Sequence, residues 1–477
     1  MGKKEKNINK LTLDMTKGRP STLLLRFSLP LILGNVFQQF YTFADTLIVG
    51  QKLGVHALAA LGATEWLSFL MFGFMQGLTQ GFSIPVSKYF GEENEDLVQK
   101  SVFHAVFASV FAAFIFMLLG QGMITPLLSM LKTPDELFAM SSLYIRILYL
   151  GIPVAVAYNM SAALLRAFGN SSAPLYAMTI ASFGNVALDL LFVMVFEMGI
   201  PGAAYATLLA QAGAALYCTA AFLRMRQARR NSGTDREQGT PGEHMTHETG
   251  HRNGKGVCVR LDLGILAEQM KLGIPMGLQN VITAAGGLVV QSVVNGFGIL
   301  FLAGYTAANK LYGLLEIAAS SYGYAISTYT AQNAGAGEKG RIRTGIMSAL
   351  VIGTVTAYLM SFMMFVFGKP ILGLFITDAK VETEAAIRIG YQFLCILAVF
   401  FPLLYAVYIV RSCIQGMGNS VMPMLSSLMQ VAMRVFCALV LTKIAGSSGV
   451  FWGEVLAWAG ALTFLICTFF RQYRRFS

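Results

Sequence analysis

Residues 22–50 read TLLLRFSLPLILGNVFQQFYTFADTLIVG. Apart from a few amides and hydroxyls, one arginine and one aspartate, the stretch is apolar. At about 1.5 Å of helical rise per residue it is long enough to cross a hydrocarbon core roughly 30 Å thick. Comparable stretches recur from Ser21 to Phe470, separated by short polar punctuation. Backbone groups in lipid must be satisfied within the chain, which leaves helices or a closed barrel. A barrel would show alternating segments of about ten residues, and these are absent. The sequence therefore predicts an all-α membrane protein of twelve transmembrane helices. The spans are placed at 22–50, 57–84, 100–122, 141–165, 173–197, 201–223, 264–295, 302–330, 344–367, 387–410, 421–442 and 450–470.

The composition agrees. Of 477 residues, 55% are hydrophobic and 12% charged, where a soluble chain carries roughly twice that charge. The polar N-terminal stretch holds Lys3, Lys4, Lys6, Lys10, Lys17 and Arg19. The apolar run after it is too long for a signal-peptide core and has no small-residue cleavage site, so it reads as the first span. The six cysteines form no Cys-x-x-Cys pair and read as small core residues rather than a disulfide or metal framework.

A net charge of +11 raises the question of nucleic acid, and its placement answers it. With the N-terminus in the cytoplasm, the cytoplasmic segments and their edges hold 25 of the 35 Lys and Arg residues, and the outer loops five (Lys52, Lys132, Lys369, Lys380, Lys443). This is the positive-inside asymmetry, which sets both termini of a multi-pass protein in the cytoplasm; the membrane expected is the cytoplasmic (inner) membrane of a prokaryote. The basicity reports topology, and no nucleic-acid partner is expected.

The chain divides into a cytoplasmic N-terminal tail (1–21), a first half with helices 1–6 (22–223), a polar cytoplasmic linker (224–263), a second half with helices 7–12 (264–470) and a basic tail (471–477). The halves echo one another. Leu29-Pro30-Leu31 is matched by Ile274-Pro275-Met276, the Phe90-Gly91-Glu92 turn by Ala334-Gly335-Ala336, and Gly169-Asn170-Ser171 with Pro174 by Gly418-Asn419-Ser420 with Pro423. Six spans per half put both halves in the same orientation. They are parallel repeats about an axis along the membrane normal, an arrangement typical of secondary transporters.

Ionisable groups inside spans are costly and mark function by default. They are Asp45, Glu65, Arg146, Asp189, Lys271, Lys310, Glu316, Arg388, Arg434 and Glu454. Several lie near span ends, where snorkelling explains them. Asp45 follows Asn35, Gln38, Gln39 and Tyr41 on one helix. Asp189 lies four residues after Asn185, so carboxylate and amide stack on one face. Tyr205 and Thr207 add hydroxyls to a small-residue helix. If Asp45 and Asp189 converge, burial and mutual repulsion let the pair hold a proton near neutral pH, or with Asn185 and Thr207 its oxygens can ligate sodium. The bland reading is that each aspartate pairs with an arginine or caps a broken helix. Pro30 removes one helical hydrogen bond and predicts a bend in span 1. Glu316 is a candidate for substrate binding or for an ion pair with Lys310, and Arg434 reads as a residue satisfied by backbone carbonyls or lipid phosphate. Methionine and aromatic side chains suit a cavity that accepts many apolar shapes.

No phosphate-binding loop and no nucleophile–base pair is visible, so neither ATP-driven transport nor an enzyme is expected. His244, His247 and His251 of the linker form a weak metal candidate.

The repeat, the Leu29-Pro30-Leu31 motif, Ala44-Asp45-Thr46 with Gly50 and Leu53-Gly54, the Gly91-Glu92 turn and Gly169-Asn170-Ser171 resemble the multidrug and toxic compound extrusion (MATE) antiporters, over roughly Gly18 to Phe470. The resemblance implies a V-shaped pair of six-helix lobes that alternate access as a monomer, needing no cofactor, while proton or sodium re-entry drives export of cationic amphipathic drugs or toxic metabolites. It maps a cation-coupling site onto Asp45, Asn185, Asp189 and Thr207, with Pro30 as a hinge, in the manner of the DinF-like branch. The acidic residues that the NorM-like branch uses in helices 7 and 10 have no counterpart in the apolar part of those spans. Asn35, Gln39, Tyr41, Tyr205, Gln291 and Glu316 are the candidates for a substrate cavity. A flippase of lipid-linked oligosaccharide or lipid II is the alternative, but its pyrophosphate cargo calls for several cavity arginines and the first-half candidates are acidic.

Overall fold

The computed structural model describes residues 12–131, 133–237, 261–375 and 381–475, and among them there are helices and no strands. The helices are α1 (Pro20–Gly54), α2 (His56–Gly91), α3 (Glu95–Met130), α4 (Asp135–Leu150), α5 (Ile152–Ala167), α6 (Ser172–Val195), α7 (Ile200–Glu237), α8 (Leu263–Asn295), α9 (Ile299–Gly335), α10 (Lys339–Phe375), α11 (Val381–Gly416), α12 (Val421–Ala445) and α13 (Ser448–Arg475). Ten are long and apolar enough to cross a membrane, and α4 with α5, bent by 46° at their break, make an eleventh pass. The 37-residue α9 is the twelfth. It has the length but a more polar composition, with Asn309, Lys310, Glu316, Gln332 and Asn333 along it. The fold is thus the expected twelve-pass bundle.

The repeat is visible in the backbone. After α5 and after α11 the chain turns through a left-handed glycine, Gly169 (φ 82°) and Gly418 (φ 85°). In both turns an asparagine side chain then caps the next helix: Asn170 Oδ1 accepts from the Ala173 amide at 3.0 Å, and Asn419 Oδ1 from the Met422 amide at 3.3 Å. Both following helices loosen into a π-turn, at Leu190–Val195 and at Cys437–Leu441.

Two helices cross between the lobes. The first part of α1 packs in the second-lobe core, where Leu23, Leu24, Phe27 and Leu31 join Tyr322, Ile326 and Phe401. Its far end returns to the first lobe, with Ile48 and Val49 against Tyr144 and Ala203. In α8 the order is reversed: Leu266 and Met270 lie on the first-lobe core, and Val290 and Val294 in the second. Pro275 lies between the two sets of α8 contacts, whereas Pro30 still lies within the stretch of α1 packed in the second lobe. The backbone keeps helical angles at Pro30: the only non-helical ones between Pro20 and Gly91 are at Gly54. Where α2 meets α8, glycines allow close approach, and a Cβ on Gly277 would stand 2.8 Å from the Phe74 ring.

The face that carries Met15 and the α9–α10 turn is tied together. The Met15 amide donates to Gln332 Oε1 at 2.9 Å, and its carbonyl accepts from Asn333 Nδ2 at 3.0 Å and from Arg341 Nη2 at 3.2 Å. Gln332 Nε2 reaches the Ala167 carbonyl at 2.9 Å, Gln269 the Ser101 carbonyl at 2.7 Å, and Lys88 lies 3.6 Å from Glu268. Residues 12–19, expected to belong to a polar tail, thus form a plug between the lobes. Helix α7 also runs to Glu237, past the expected end at 223. Its next turns hold good helix formers, Met225 is buried, and Arg229 pairs with Glu95 at 2.8 Å while stacking over Phe90 and Phe168. The linker histidines, Cys258 and most of the N-terminal tail lie outside the described residues.

Candidate functional site

A cavity of about 610 Å³ lies between the lobes. From the first lobe it is lined by Asn35, Gln38, Gln39, Tyr41 and Thr42 on α1, Gln76 on α2 and Asn185, Thr207 and Gln211 on α6 and α7. From the second it is lined by Gln279 and Asn280 on α8, Tyr312, Glu316 and Tyr324 on α9, Tyr408 and Arg411 on α11 and Arg434 on α12. An inter-lobe hydrogen bond from Asn35 Nδ2 to Ser321 Oγ (3.3 Å), and one from Gln76 Nε2 to Tyr324 Oη (3.2 Å), lie at its floor. Asn280 Nδ2 donates to the Gly73 carbonyl at 2.7 Å.

Behind the first-lobe wall sit the sequence-predicted carboxylates. Asp45 (9% exposed), Asp189 (0%) and Asn185 (1%) are withdrawn from solvent. The carboxylates lie near enough to interact electrostatically with one another and with Tyr144. Asn185 Nδ2 points to Thr207 Oγ1 at 3.5 Å. Ala203, Ala204 and Ala206 are fully buried, and such small side chains let α7 lie close enough to α6 for that contact. Asp45 Oδ1, both Asp189 oxygens and Asn185 Oδ1 are buried without a hydrogen-bond partner. The bland reading, an arginine pair for each aspartate, is absent: neither has an ion pair among the described residues. The four orphaned oxygens and the Thr207 hydroxyl are hard oxygen donors, the chemistry that protons and small alkali cations take. Among the described residues no three His, Cys, Asp or Glu side chains gather as a metal centre.

The second lobe is different. Arg434 Nη2 lies 2.6 Å from Glu454 Oε2, both side chains 13% exposed. This corrects the expectation that Arg434 is satisfied by carbonyls or lipid: α12 and α13 are packed neighbours, and the pair closes between them. Glu316 accepts the hydroxyl of Tyr408, while Lys310, its expected partner, is exposed.

Of the residues expected at the cavity, Asn35, Gln39, Tyr41 and Glu316 line it. Tyr205 and Gln291 do not. Tyr205 is 44% exposed, because positions two apart on a helix lie about 200° apart and Thr207 takes the inward face. Gln291 instead donates to Asn295 Oδ1 on its own helix at 3.0 Å. Arg411 was hidden from sequence reasoning by its place one residue past the expected end of span 10. Gln76, Gln211 and Asn280 carried a usable signal, as amides inside apolar spans.

The MatE family model matches residues 30–191 and 275–440, one match in each half. The chain belongs to the MATE family. Its members are transporters rather than enzymes. The chain is 28% identical to the probable multidrug resistance protein YpnP of Bacillus subtilis (strain 168), over 85% of this chain and 84% of that one. It is 21% identical to the multidrug export protein MepA of Staphylococcus aureus (strain NCTC 8325 / PS 47), over 91% and 90%. A solved structure described as the outward-facing conformation of a multidrug resistance MATE family transporter of the MOP superfamily superposes with a TM-score of 0.81. It covers 97% of both chains at 21% identity.

Proposed function

We propose that this MATE transporter is an antiporter. It exports cationic amphipathic drugs or toxic metabolites, driven by re-entry of protons or sodium through Asp45, Asn185, Asp189 and Thr207. The observation that carries the reading is the set of buried, unpartnered oxygens immediately behind the wall of an inter-lobe cavity. A carboxylate pair held without a counter-charge gains from a proton or cation, so occupancy changes the electrostatics of the wall that the substrate meets. Asn185 and Thr207 belong to both the ion site and the cavity lining, which gives the two ligands a shared boundary. The positive-inside asymmetry supports an inner-membrane orientation with the tied face and both termini in the cytoplasm. The cavity then has its mouth toward the outside. Coupling confined to the first lobe is the pattern of the DinF-like branch, and a monomer holds every group that the cycle uses. The lipid-linked flippase reading is not favoured.

The test is efflux of a panel of cationic dyes from proteoliposomes, with pH and sodium gradients imposed separately. Export driven by one gradient and abolished in Asp45→Asn is expected; export indifferent to both gradients would refute the antiport reading.

A further inference from the structure

Residues 12–19 precede the first membrane helix, yet they are held as a core segment is held. Met15 is fully buried and belongs to the second-lobe core. Its amide donates to Gln332 Oε1 at 2.9 Å, and its carbonyl accepts from Asn333 Nδ2 at 3.0 Å and Arg341 Nη2 at 3.2 Å. Arg341 Nη2 also reaches the Gly18 carbonyl at 3.1 Å. Toward the first lobe the hold is weaker. The Leu13 backbone lies on the left-handed turn at Gly169, where a Cβ would overlap the Leu13 carbonyl, and Lys17 lies 3.7 Å from Glu93, both side chains exposed. Gly418, the counterpart of Gly169 in the repeat, would bring its Cβ within 4 Å of nothing among the described residues. The segment is therefore bonded to the second lobe and merely seated on the first.

Gln332 is the point where this segment meets the seam between the lobes. The residue is fully buried. Its Oε1 takes the Met15 amide, and its Nε2 donates to the Ala167 carbonyl of the first lobe at 2.9 Å. Its own carbonyl is packed against the end of α2: a Cβ on Gly91 would overlap it, and a Cβ on Gly335, the counterpart of Gly91, would overlap the Lys88 carbonyl. The ends of α2 and α9 thus cross backbone to backbone. Contacts this close do not stretch by degrees, so the seam is either shut with the segment seated or parted.

We propose that residues 12–19 are a strap that latches the cytoplasmic gate, with Gln332 as its catch. Opening the cavity inward parts Ala167 and Gly169 from Gln332 and Leu13, and α2 from α9 at the Gly91–Gly335 crossing. The strap travels with the second lobe, because its hydrogen bonds are there and so are Leu23, Leu24 and Phe27 of the helix that follows it. The latch sets how strongly the outward-facing form is favoured, and it contains no ion-coupling or cavity residue. This role rests on alternating access with the tied face in the cytoplasm.

Spin labels at Arg226→Cys on α7 and Arg343→Cys on α10, both exposed, report the distance across this face by double electron–electron resonance. The full chain is used in nanodiscs, with its six native cysteines replaced by alanine. One dominant short distance is expected without further change. Gln332→Ala removes the bonds to Met15 and Ala167 and should raise the ratio of long to short distances about tenfold. Met15→Ala keeps every backbone bond but empties a buried site; it should raise the ratio severalfold and serves if the Gln332 variant does not fold. An unchanged ratio in folded variants would overturn the proposal. So would a lower melting temperature with the short distance only broadened, the mark of a tail that is merely structural. Loss of folding in both variants would also overturn it, since a latch is not needed to fold. Failure of antiport would show in dye efflux and leave these distances as they are.

Discussion

Asp45 and Asp189 in the first lobe and Arg434 and Glu454 in the second are all ionisable groups drawn out of water, but they are treated in opposite ways. The first two are left without an ion pair and with three orphaned oxygens. The second two neutralise each other across 2.6 Å. The lobes otherwise share their left-handed turns, asparagine caps and π-turns. Backbone geometry is set by the turn chemistry and helix packing that the duplication keeps. The side chains behind the cavity wall are under no such constraint. The first-lobe carboxylates therefore face no counter-charge, whereas Arg434 and Glu454 face each other.

Stability separates the two arrangements most sharply. Glu454→Gln strands Arg434 without a counter-charge and should cost about 3 kcal/mol, seen as a lower melting temperature in detergent. Asp189→Asn strands nothing, so its melting temperature should equal or exceed that of the unmodified protein. A loss as large as that of Glu454→Gln would erase the distinction between the lobes. A smaller effect is expected at the crossing helices. Pro30→Ala should slow export about tenfold with substrate affinity held within about twofold, while Pro275→Ala, on the helix with no coupling group, should slow it less. Equal slowing would make the two prolines equivalent hinges. Smallest is Tyr408→Phe, which frees the Glu316 oxygen and should cost about 1 kcal/mol in thermal unfolding; no change would mean that Glu316 finds another donor.

The spans were legible because bilayer thickness and apolar length are rigidly linked. The burial of Asp45 and Asp189 was legible because carboxylates in apolar helices are rare, and the spacing from Asn185 to Asp189 fixes their common face. The rest depended on tertiary packing. Met15 gave no periodic signal from within a polar tail, although it is fully buried. The α4–α5 break falls at Leu150-Gly151-Ile152-Pro153, whereas α11 runs unbroken through Pro402; a proline alone did not say which helix would divide. Tyr205 and Gln291 were misplaced because polarity in a span does not reveal which way a side chain faces. Arg411 looked like one more basic residue at a span end, and only the folded chain turns it into the cavity.

The central claim is that ion coupling resides in the first lobe. It is tested most directly by reconstituting the unmodified protein and Asp45→Asn in proteoliposomes, imposing a substrate gradient, and measuring proton and sodium flux. The account predicts that substrate drives flux of one of these ions in the unmodified protein. In Asp45→Asn that flux should fall by at least about 100-fold while the protein remains folded and still binds substrate. Full substrate-driven ion flux in Asp45→Asn would contradict it.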